Sequence, residues 1–249
     1  MIKTSGKEGS KMKGKVLVVM VAAVALLGAG AALAGIAETK HDLSVTGEGT
    51  IKASGAQQNL ENCVWCHTPH FANTDFAGAP LWNKATPTGT YTMYGTTLAG
   101  TTPDATPNGI TKACLSCHDG VSAINSLVNQ ANAGGVVGAG YNVAFGASVP
   151  PAAVLLTGAA TNIGTTLVND HPVSILYIAG KAGLKATTTV FGTSSTLAAL
   201  LRSGKVECSS CHDPHAASGD TTSSGTTASS MFLRISNSSS ALCLACHEK

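Results

Sequence analysis

The longest apolar run of the chain lies near its start. Residues 16–34 (VLVVMVAAVALLGAGAALA) are uncharged and mostly apolar, follow the basic stretch KMKGK, and end in Ala32-Leu33-Ala34. A basic region, an apolar region and small residues at the end are typical of a secretory signal peptide. We expect cleavage before Gly35, or three residues later before Glu38. The alternative is that the same run serves as an uncleaved membrane anchor.

Beyond this run, large apolar residues are scattered among Gly, Ala, Ser and Thr, and the pattern predicts only short elements. A helix should carry Cys114 and Cys117 and continue through residues 121–129 (VSAINSLVN). Residues 194–204 (SSTLAALLRSG) should form another helix, which begins after a Ser cap and ends at a Gly. Alternating or β-branched stretches predict short strands at residues 91–94, 141–145 and 173–178.

The other stretches are rich in turn-forming residues. Residues 72–111 repeat Pro, Gly and Thr and should be mostly loop, and residues 216–230 are a low-complexity Ser/Thr loop. We therefore expect a mostly irregular chain with short α-helices and a few short β-strands.

The positive charge of the chain belongs to its first 34 residues. These hold five of the 15 Lys and Arg residues and one of the 13 Asp and Glu residues, so residues 35–249 carry 10 basic against 12 acidic side chains, a formal charge of −2. No basic stripe remains for a phosphate backbone, and we expect no nucleic-acid partner.

Four C-x-x-C-H motifs use all eight cysteines: CVWCH (63–67), CLSCH (114–118), CSSCH (208–212) and CLACH (243–247). Zinc sites and disulfides remain alternatives, but neither requires a His after the second Cys. Because only 8 of 249 residues are His, four such histidines have a chance probability of about one in a million. The motif is the attachment signature of c-type haem. We therefore expect four covalent haems (haem c).

Each motif supplies two thioether bonds and one iron ligand. Two cysteines at i and i+3 share one side of a helical turn and can bond both vinyl groups of one haem, and the next His binds the iron as its proximal ligand. The attachment residues are Cys63, Cys66, Cys114, Cys117, Cys208, Cys211, Cys243 and Cys246, and the proximal ligands are His67, His118, His212 and His247.

The other four histidines, His41, His70, His171 and His215, equal the haems in number. His or Met is the usual second ligand in electron-transfer cytochromes, and no methionine after the signal lies in a recognisable ligand context. We therefore expect four bis-histidine haems. For any one of these histidines alone, a solvated residue without metal is the simpler alternative.

Two of the spare histidines repeat one pattern. His70 in CHTPH and His215 in CHDPH each follow a proximal His by three residues, with Pro between. The proline favours an extended conformation before it, so the two imidazoles should diverge. We expect His70 and His215 to reach a neighbouring haem rather than their own.

These elements predict a multihaem cytochrome c fold, in which loops, short helices and short strands wrap around a chain of four haems. The haems would supply much of the buried apolar surface. The predicted organisation is a signal peptide (1–34) and a tetrahaem domain (35–249) with an N-terminal arm (35–62) and a cysteine-free insert (119–207) that carries His171.

Several motifs together resemble a known family. CHTPH, PLWN, TYTMY, CLSCHDG, NDHPVS, KVECSSCHDPH and FLRISNSSSALCLACHEK resemble the doubled-CxxCH tetrahaem cytochromes of metal-reducing bacteria, most closely the outer-surface, filament-forming OmcE type (cytochrome nanowires). The resemblance runs from about Glu61 to the C-terminus and is weakest around His41.

The resemblance implies a secreted protein, extracellular or on the outer cell surface, that polymerises head to tail with copies of itself. It also implies that one iron takes its distal histidine from the adjacent subunit. We assign this role in trans to His41, because a terminal segment is mobile unless contacts hold it in place. A head-to-tail contact between copies that does not close into a ring generates a filament. Expected partners are upstream cell-envelope cytochromes and extracellular electron acceptors, with no membrane span after signal cleavage.

Three functions remain open. The first is a conductive extracellular filament, and the second is a soluble periplasmic or secreted electron carrier. The third, a multihaem reductase, needs an iron with an open position, which four bis-histidine haems do not offer. We therefore expect no enzymatic activity.

We predict that the secreted chain carries four covalent haems, because it has four attachment motifs. Mass spectrometry should show an addition of about 2.5 kDa to the cleaved polypeptide. Bound zinc, or fewer than four haems, would contradict this assignment.

Overall fold

Regular structure is sparse and centres on the cysteine motifs. A computed structural model describes residues 36–37, 39–44, 46–52, 62–129, 137–142 (backbone only), 153–158, 160–181, 183–191, 195–215 and 232–248. In these ranges the helices are α1 (Gly109–His118), α2 (Cys208–Cys211) and α3 (Ala241–Cys246). The strands are β1 (Ser126–Asn129), β2 (Val137–Asn142), β3 (Ile175–Leu176), β4 (Val190–Phe191), β5 (Ser195–Thr196) and β6 (Lys205–Val206).

The strands form antiparallel pairs rather than one sheet. β1 pairs with β2 through Leu127 and Tyr141, with an irregularity before Asn129. β3 pairs with β6 through Ile175 and Val206, and β4 pairs with β5 in the same antiparallel way. Two-stranded pairs of this length are not stable alone, so the surrounding loops must support them.

The apolar core is small, and buried polar side chains do much of the cross-linking. Trp65 and Leu127 are buried together, and Leu43 packs against them. The buried Asn83 side chain donates to the carbonyl oxygens of Val64 (2.7 Å) and Asn129 (2.8 Å), and its own oxygen accepts the Asn129 N–H (2.8 Å). Asn83 thus ties the first cysteine motif to β1.

The helix predicted around Cys114 and Cys117 is confirmed, but its extension through residues 121–129 is wrong. α1 ends at His118, and Gly120 adopts a left-handed backbone (φ +70°), as residues just past helix ends often do. The Asp119 carboxylate accepts the N–H groups of Val121 (2.9 Å) and Ser122 (2.6 Å). This turn redirects the chain. The last four residues of the predicted extension, 126–129, form β1 instead.

The helix predicted over residues 194–204 is also wrong. Ser195 and Thr196 form β5, and only a single 3₁₀ turn, Leu197–Ala199, follows. The N–H of Leu197 donates to the Thr189 carbonyl oxygen (2.9 Å), so cross-strand bonding replaces the first turn of a helix. Leu197 and Leu200 are nevertheless buried, which is what made the stretch look amphipathic.

The predicted strands have mixed outcomes. Residues 173–178 contain β3, although only two of them pair. Residues 91–94 form no strand, and only an isolated parallel bridge joins Thr92 to Thr166. β2 covers the first two residues of 141–145. The rest of that stretch, the signal region 1–34 and the loop at 216–230 lie outside the described residues.

Two further findings concern the described chain as a whole. Residues Gly35–Lys249 belong to one compact unit. In the ranges given above, no helix has both the length and the apolar character needed to cross a bilayer.

Gly109, the first residue of α1, is packed against backbone, and we predict that Gly109→Ala destabilises the fold. A Cβ there would lie 2.2 Å from the Ala77 nitrogen and 2.3 Å from its oxygen, and overpacking of this kind costs about 1–3 kcal/mol. The urea midpoint should fall. Gly95→Ala is the matched control, since a Cβ at Gly95 meets nothing within 4 Å, and equal midpoints for both variants would contradict the prediction.

Candidate haem sites

Each C-x-x-C pair lies on a single helical turn. Around the first motif, the His67 N–H donates to the Cys63 carbonyl oxygen (2.9 Å). The same bond joins His212 to Cys208 (3.0 Å) and His247 to Cys243 (2.9 Å), while the second motif lies in α1. The two thiols of each pair therefore project from one side of a turn, and all eight are free of disulfides.

After the turn, three proximal histidines enter an extended segment held by one β-bridge. His67 bridges Trp82, His212 bridges Leu233, and His247 bridges Leu184. His118 instead ends α1 and is followed by the Asp119 turn. These contacts fix the backbone of each of these histidines beside the thiols of its own motif.

Three proximal histidines lie opposite three of the spare histidines. The ring centroids are 6.0 Å apart for His118 and His41, 6.1 Å for His67 and His215, and 6.3 Å for His247 and His171. Two imidazoles that bind one metal ion from opposite sides, each at about 2.0 Å, have centroids about 6 Å apart. The observed separations fit an iron held between each pair.

Backbone carbonyls orient several of these rings. Nδ1 lies 2.7 Å from the Pro80 oxygen in His67, 2.8 Å from the Thr161 oxygen in His118, and 3.0 Å from the Pro172 oxygen in His171. A ring nitrogen beside a carbonyl carries the proton, so Nε2 keeps its lone pair for a metal, as in most metal-binding histidines. These three rings therefore meet the requirement for ligation.

His41 is the most enclosed of the distal candidates. Its ring packs on Phe232 (centroids 4.2 Å apart), and its Nδ1 is buried without a hydrogen-bond partner among the described residues. Burial first, then proximity to His118 and two further histidines, lowers the pKa of His41 to about 4. The imidazole is thus neutral at physiological pH, which a metal ligand requires.

The sequence predicts that His41 reaches another subunit. In the single chain, His41 lies instead against residues of its own chain. Residues 36–52 fold back, and Leu43 joins the Trp65 cluster while His41 faces His118 of the same chain. The arm is therefore tied down by contacts that its few apolar residues do provide.

His70 stands apart from the three pairs. Its side chain is exposed and makes no ring contact with any described residue, whereas its carbonyl oxygen accepts bonds from Thr68 Oγ1 (3.0 Å) and Asn129 Nδ2 (3.0 Å). The backbone of the CHTPH loop is thus fixed. The corresponding loop places His215 against His67, three residues before His70.

The thiols show which motifs are neighbours. Burial, and then nearby Cys117, raises the pKa of Cys66 to about 12. A hydrogen bond with Cys208, followed by burial, raises the pKa of Cys114. Burial, and then Cys246, raises the pKa of Cys211 to about 11. Successive motifs are therefore neighbours in the fold.

Sequence reasoning missed the groups that hold the ligands. Carbonyl oxygens of Pro80 and Thr161 carry no sequence signature, because every residue has one. The Phe232 ring against His41 and the buried Asn83 cross-link depend on contacts between distant segments, which one sequence does not reveal.

No protein-family model matches the chain, and none of the curated proteins matches it. Over the part of the chain that the structure describes, no group of three or more His, Cys, Asp or Glu side chains converges to hold a bare metal ion.

We predict that His215→Ala opens one iron position without loss of a haem, since His215 faces His67 while the thiols remain. One of four haems should become high-spin in the absorption and electron paramagnetic resonance spectra. His215→Met is the matched control, because a thioether can still ligate and should keep the iron six-coordinate. Four unchanged low-spin haems in His215→Ala would show that His215 is not a ligand.

Proposed function

We propose that the chain is a tetrahaem, bis-histidine c-type cytochrome that transfers electrons outside the cytoplasm. The observation that supports this best is the three imidazole pairs at 6.0–6.3 Å, each joining one C-x-x-C-H histidine to one spare histidine. A fold unrelated to haem binding would not be expected to place one spare histidine opposite each of these three C-x-x-C-H histidines.

The pairs suggest which ligands share an iron. We assign His67 with His215 to the first motif, His118 with His41 to the second, and His247 with His171 to the fourth. His70 then remains for the third motif, with His212. This completes a reciprocal exchange in which each CHxPH loop supplies the distal ligand of the other motif.

The ligand set favours electron transfer over catalysis. Each bound haem would supply a one-electron redox couple. The chain would fill both axial positions with its own imidazoles, hold their orientation through backbone carbonyls, and leave no iron position for a substrate. A multihaem reductase is therefore the weakest of the three functions, and we assign no catalytic residues.

We further propose that the protein forms a head-to-tail filament by exchange of residues 36–52, the first part of its N-terminal arm. In the filament, the arm would occupy on the next subunit the position it takes on its own chain, with His41 at the neighbour's His118. Such an exchange creates no new kind of contact, and it extends indefinitely because each subunit gives one arm and accepts another.

Hydrogen bonds within the arm support this exchange. The Asp42 carboxylate accepts from the Ser44 N–H (2.9 Å) and from Thr46 Oγ1 (3.2 Å), and Lys52 Nζ donates to the Gly47 carbonyl oxygen (2.9 Å). The arm therefore keeps its turn when it moves as a unit. Ten residues, 53–62, join it to the first motif and span at most about 35 Å when extended.

The predicted signal peptide supports a function beyond the inner membrane, at the cell surface or in the extracellular space. The partners would be further copies of the chain, upstream cell-envelope cytochromes and extracellular electron acceptors. A soluble periplasmic or secreted carrier is the second candidate, favoured by the arm's contacts within its own chain.

We predict that His41→Ala yields soluble tetrahaem protein with one open iron and no fibres, because the exchanged ligand is lost. Negative-stain microscopy of sheared cell-surface material, with spectra of the purified protein, provides the measurement. Lys40→Ala, an exposed neighbour in the same turn, should still form fibres.

Normal fibres from His41→Ala would show that the arm ligand does not build the filament. Wild-type protein that is monomeric on the cell surface, with four six-coordinate haems, would instead establish the soluble carrier.

A further inference from the structure

The chain contains only two arginines, Arg202 and Arg234, and all its other basic residues are lysines. Both guanidinium groups contact Ser209, which lies between the two cysteines of the third motif. Two segments that are well separated in the sequence therefore bring the same rare residue to one place.

The two guanidinium groups share the same two acceptors. The Ser209 carbonyl oxygen accepts from Arg202 (3.4 Å) and Arg234 (3.2 Å), and the Ala199 carbonyl oxygen accepts from the same two side chains at 3.4 and 3.2 Å. A guanidinium bound to a carboxylate forms shorter bonds, of about 2.7–2.9 Å. Neutral carbonyl groups thus hold these side chains in place without matching their charge.

No carboxylate compensates the two positive charges in the part of the chain that the structure describes. Lys205, three residues after Arg202, pairs with Asp104, but neither arginine forms an ion pair with a described residue. Burial, and then the charge of Arg202, lowers the pKa of Arg234, and Asp213 opposes this shift only in part. Two like charges therefore lie close together without a counter-ion among the described residues.

The guanidinium groups also keep donors for a further partner. Each has five N–H groups, of which the described residues engage three in Arg202 and two in Arg234. Both side chains are half-buried. Because a guanidinium is planar, it binds both oxygens of a carboxylate through two parallel hydrogen bonds, which a lysine ammonium does not reproduce. The pair is therefore suited to a carboxylate ligand.

The proposed haems would bring such carboxylates as their propionates. A c-type haem carries its propionates on the side of the macrocycle opposite its thioethers, whereas Ser209 lies at the thioether side of the third site. The haem of the third motif is thus excluded as the source. Cys208 is hydrogen-bonded to Cys114, and Cys211 lies near Cys246, so the second and fourth motifs are the neighbours of this site.

We propose that Arg202 and Arg234 together bind a propionate of a haem that a neighbouring motif holds. This contact would join the loop of the third motif to a second haem position independently of the axial histidines. The inference depends on the proposed tetrahaem assignment.

The test is NMR spectroscopy of the fully reduced tetrahaem protein, in which low-spin bis-histidine iron is diamagnetic. Because the chain has only two arginines, their Nε–H signals are readily assigned with one variant each. We expect a nuclear Overhauser effect between at least one guanidinium group and the propionate methylene protons of one haem. That haem should be held by the second or fourth motif and not by Cys208 and Cys211.

Variants separate the carboxylate contact from general disturbance. In Arg202→Gln and in Arg234→Gln, the propionate methylene signals of that one haem should shift while four haems remain attached. Arg234→Lys keeps the charge without the planar fork, and it should shift the same signals less than Arg234→Gln does. Lys181→Gln, an exposed substitution, should shift none of them.

Three outcomes would overturn the proposal. The first is that no propionate contacts either arginine in wild type, and the second is that the contact is to the haem of the third motif itself. The third is that added acetate shifts both arginine signals to saturation in the wild-type protein, because the site would then be open to a carboxylate from solution. None of these results removes a haem, and fewer than four attached haems would instead contradict the tetrahaem assignment.

Discussion

The separation between paired imidazoles is the constraint on which the rest of the structure depends. Ring centroids about 6 Å apart match the separation of two imidazoles that bind one metal ion from opposite sides. To keep it, the chain must hold two distant segments rigidly without filling the space between them. The bridge at Trp82, the carbonyl oxygens of Pro80 and Thr161, and the Asp119 turn all serve this purpose.

This constraint explains why the apolar core is small. The described residues bury Asn83 and Lys84 as completely as they bury Leu127, and Glu207 is nearly as buried. Directional hydrogen bonds fix loop positions more specifically than apolar packing does. Regular structure in the described residues is therefore limited to short helices and two-stranded ladders.

The cysteine and histidine motifs were easier to recognise in the sequence than the helices and strands. The spacing of Cys and His is local, so the motifs and the helix around Cys114 could be recognised directly. The predicted helices at 121–129 and 194–204 were wrong because the Asp119 turn and the pairing of β5 with β4 outweigh local propensity. The pairing of His67 with His215 spans most of the chain, and repeated CHxPH motifs indicated only that such an exchange was to be expected.

The raised thiol pKa values bear on how the protein matures. Thioether formation uses the thiolate, and a pKa of about 12 at Cys66 leaves almost none of it at neutral pH in the folded chain. Cys114 is similarly suppressed, while Cys63 and Cys243 remain exposed. On the proposed assignment, haem would therefore be attached before folding, on the unfolded polypeptide, where Cys66 and Cys114 are accessible.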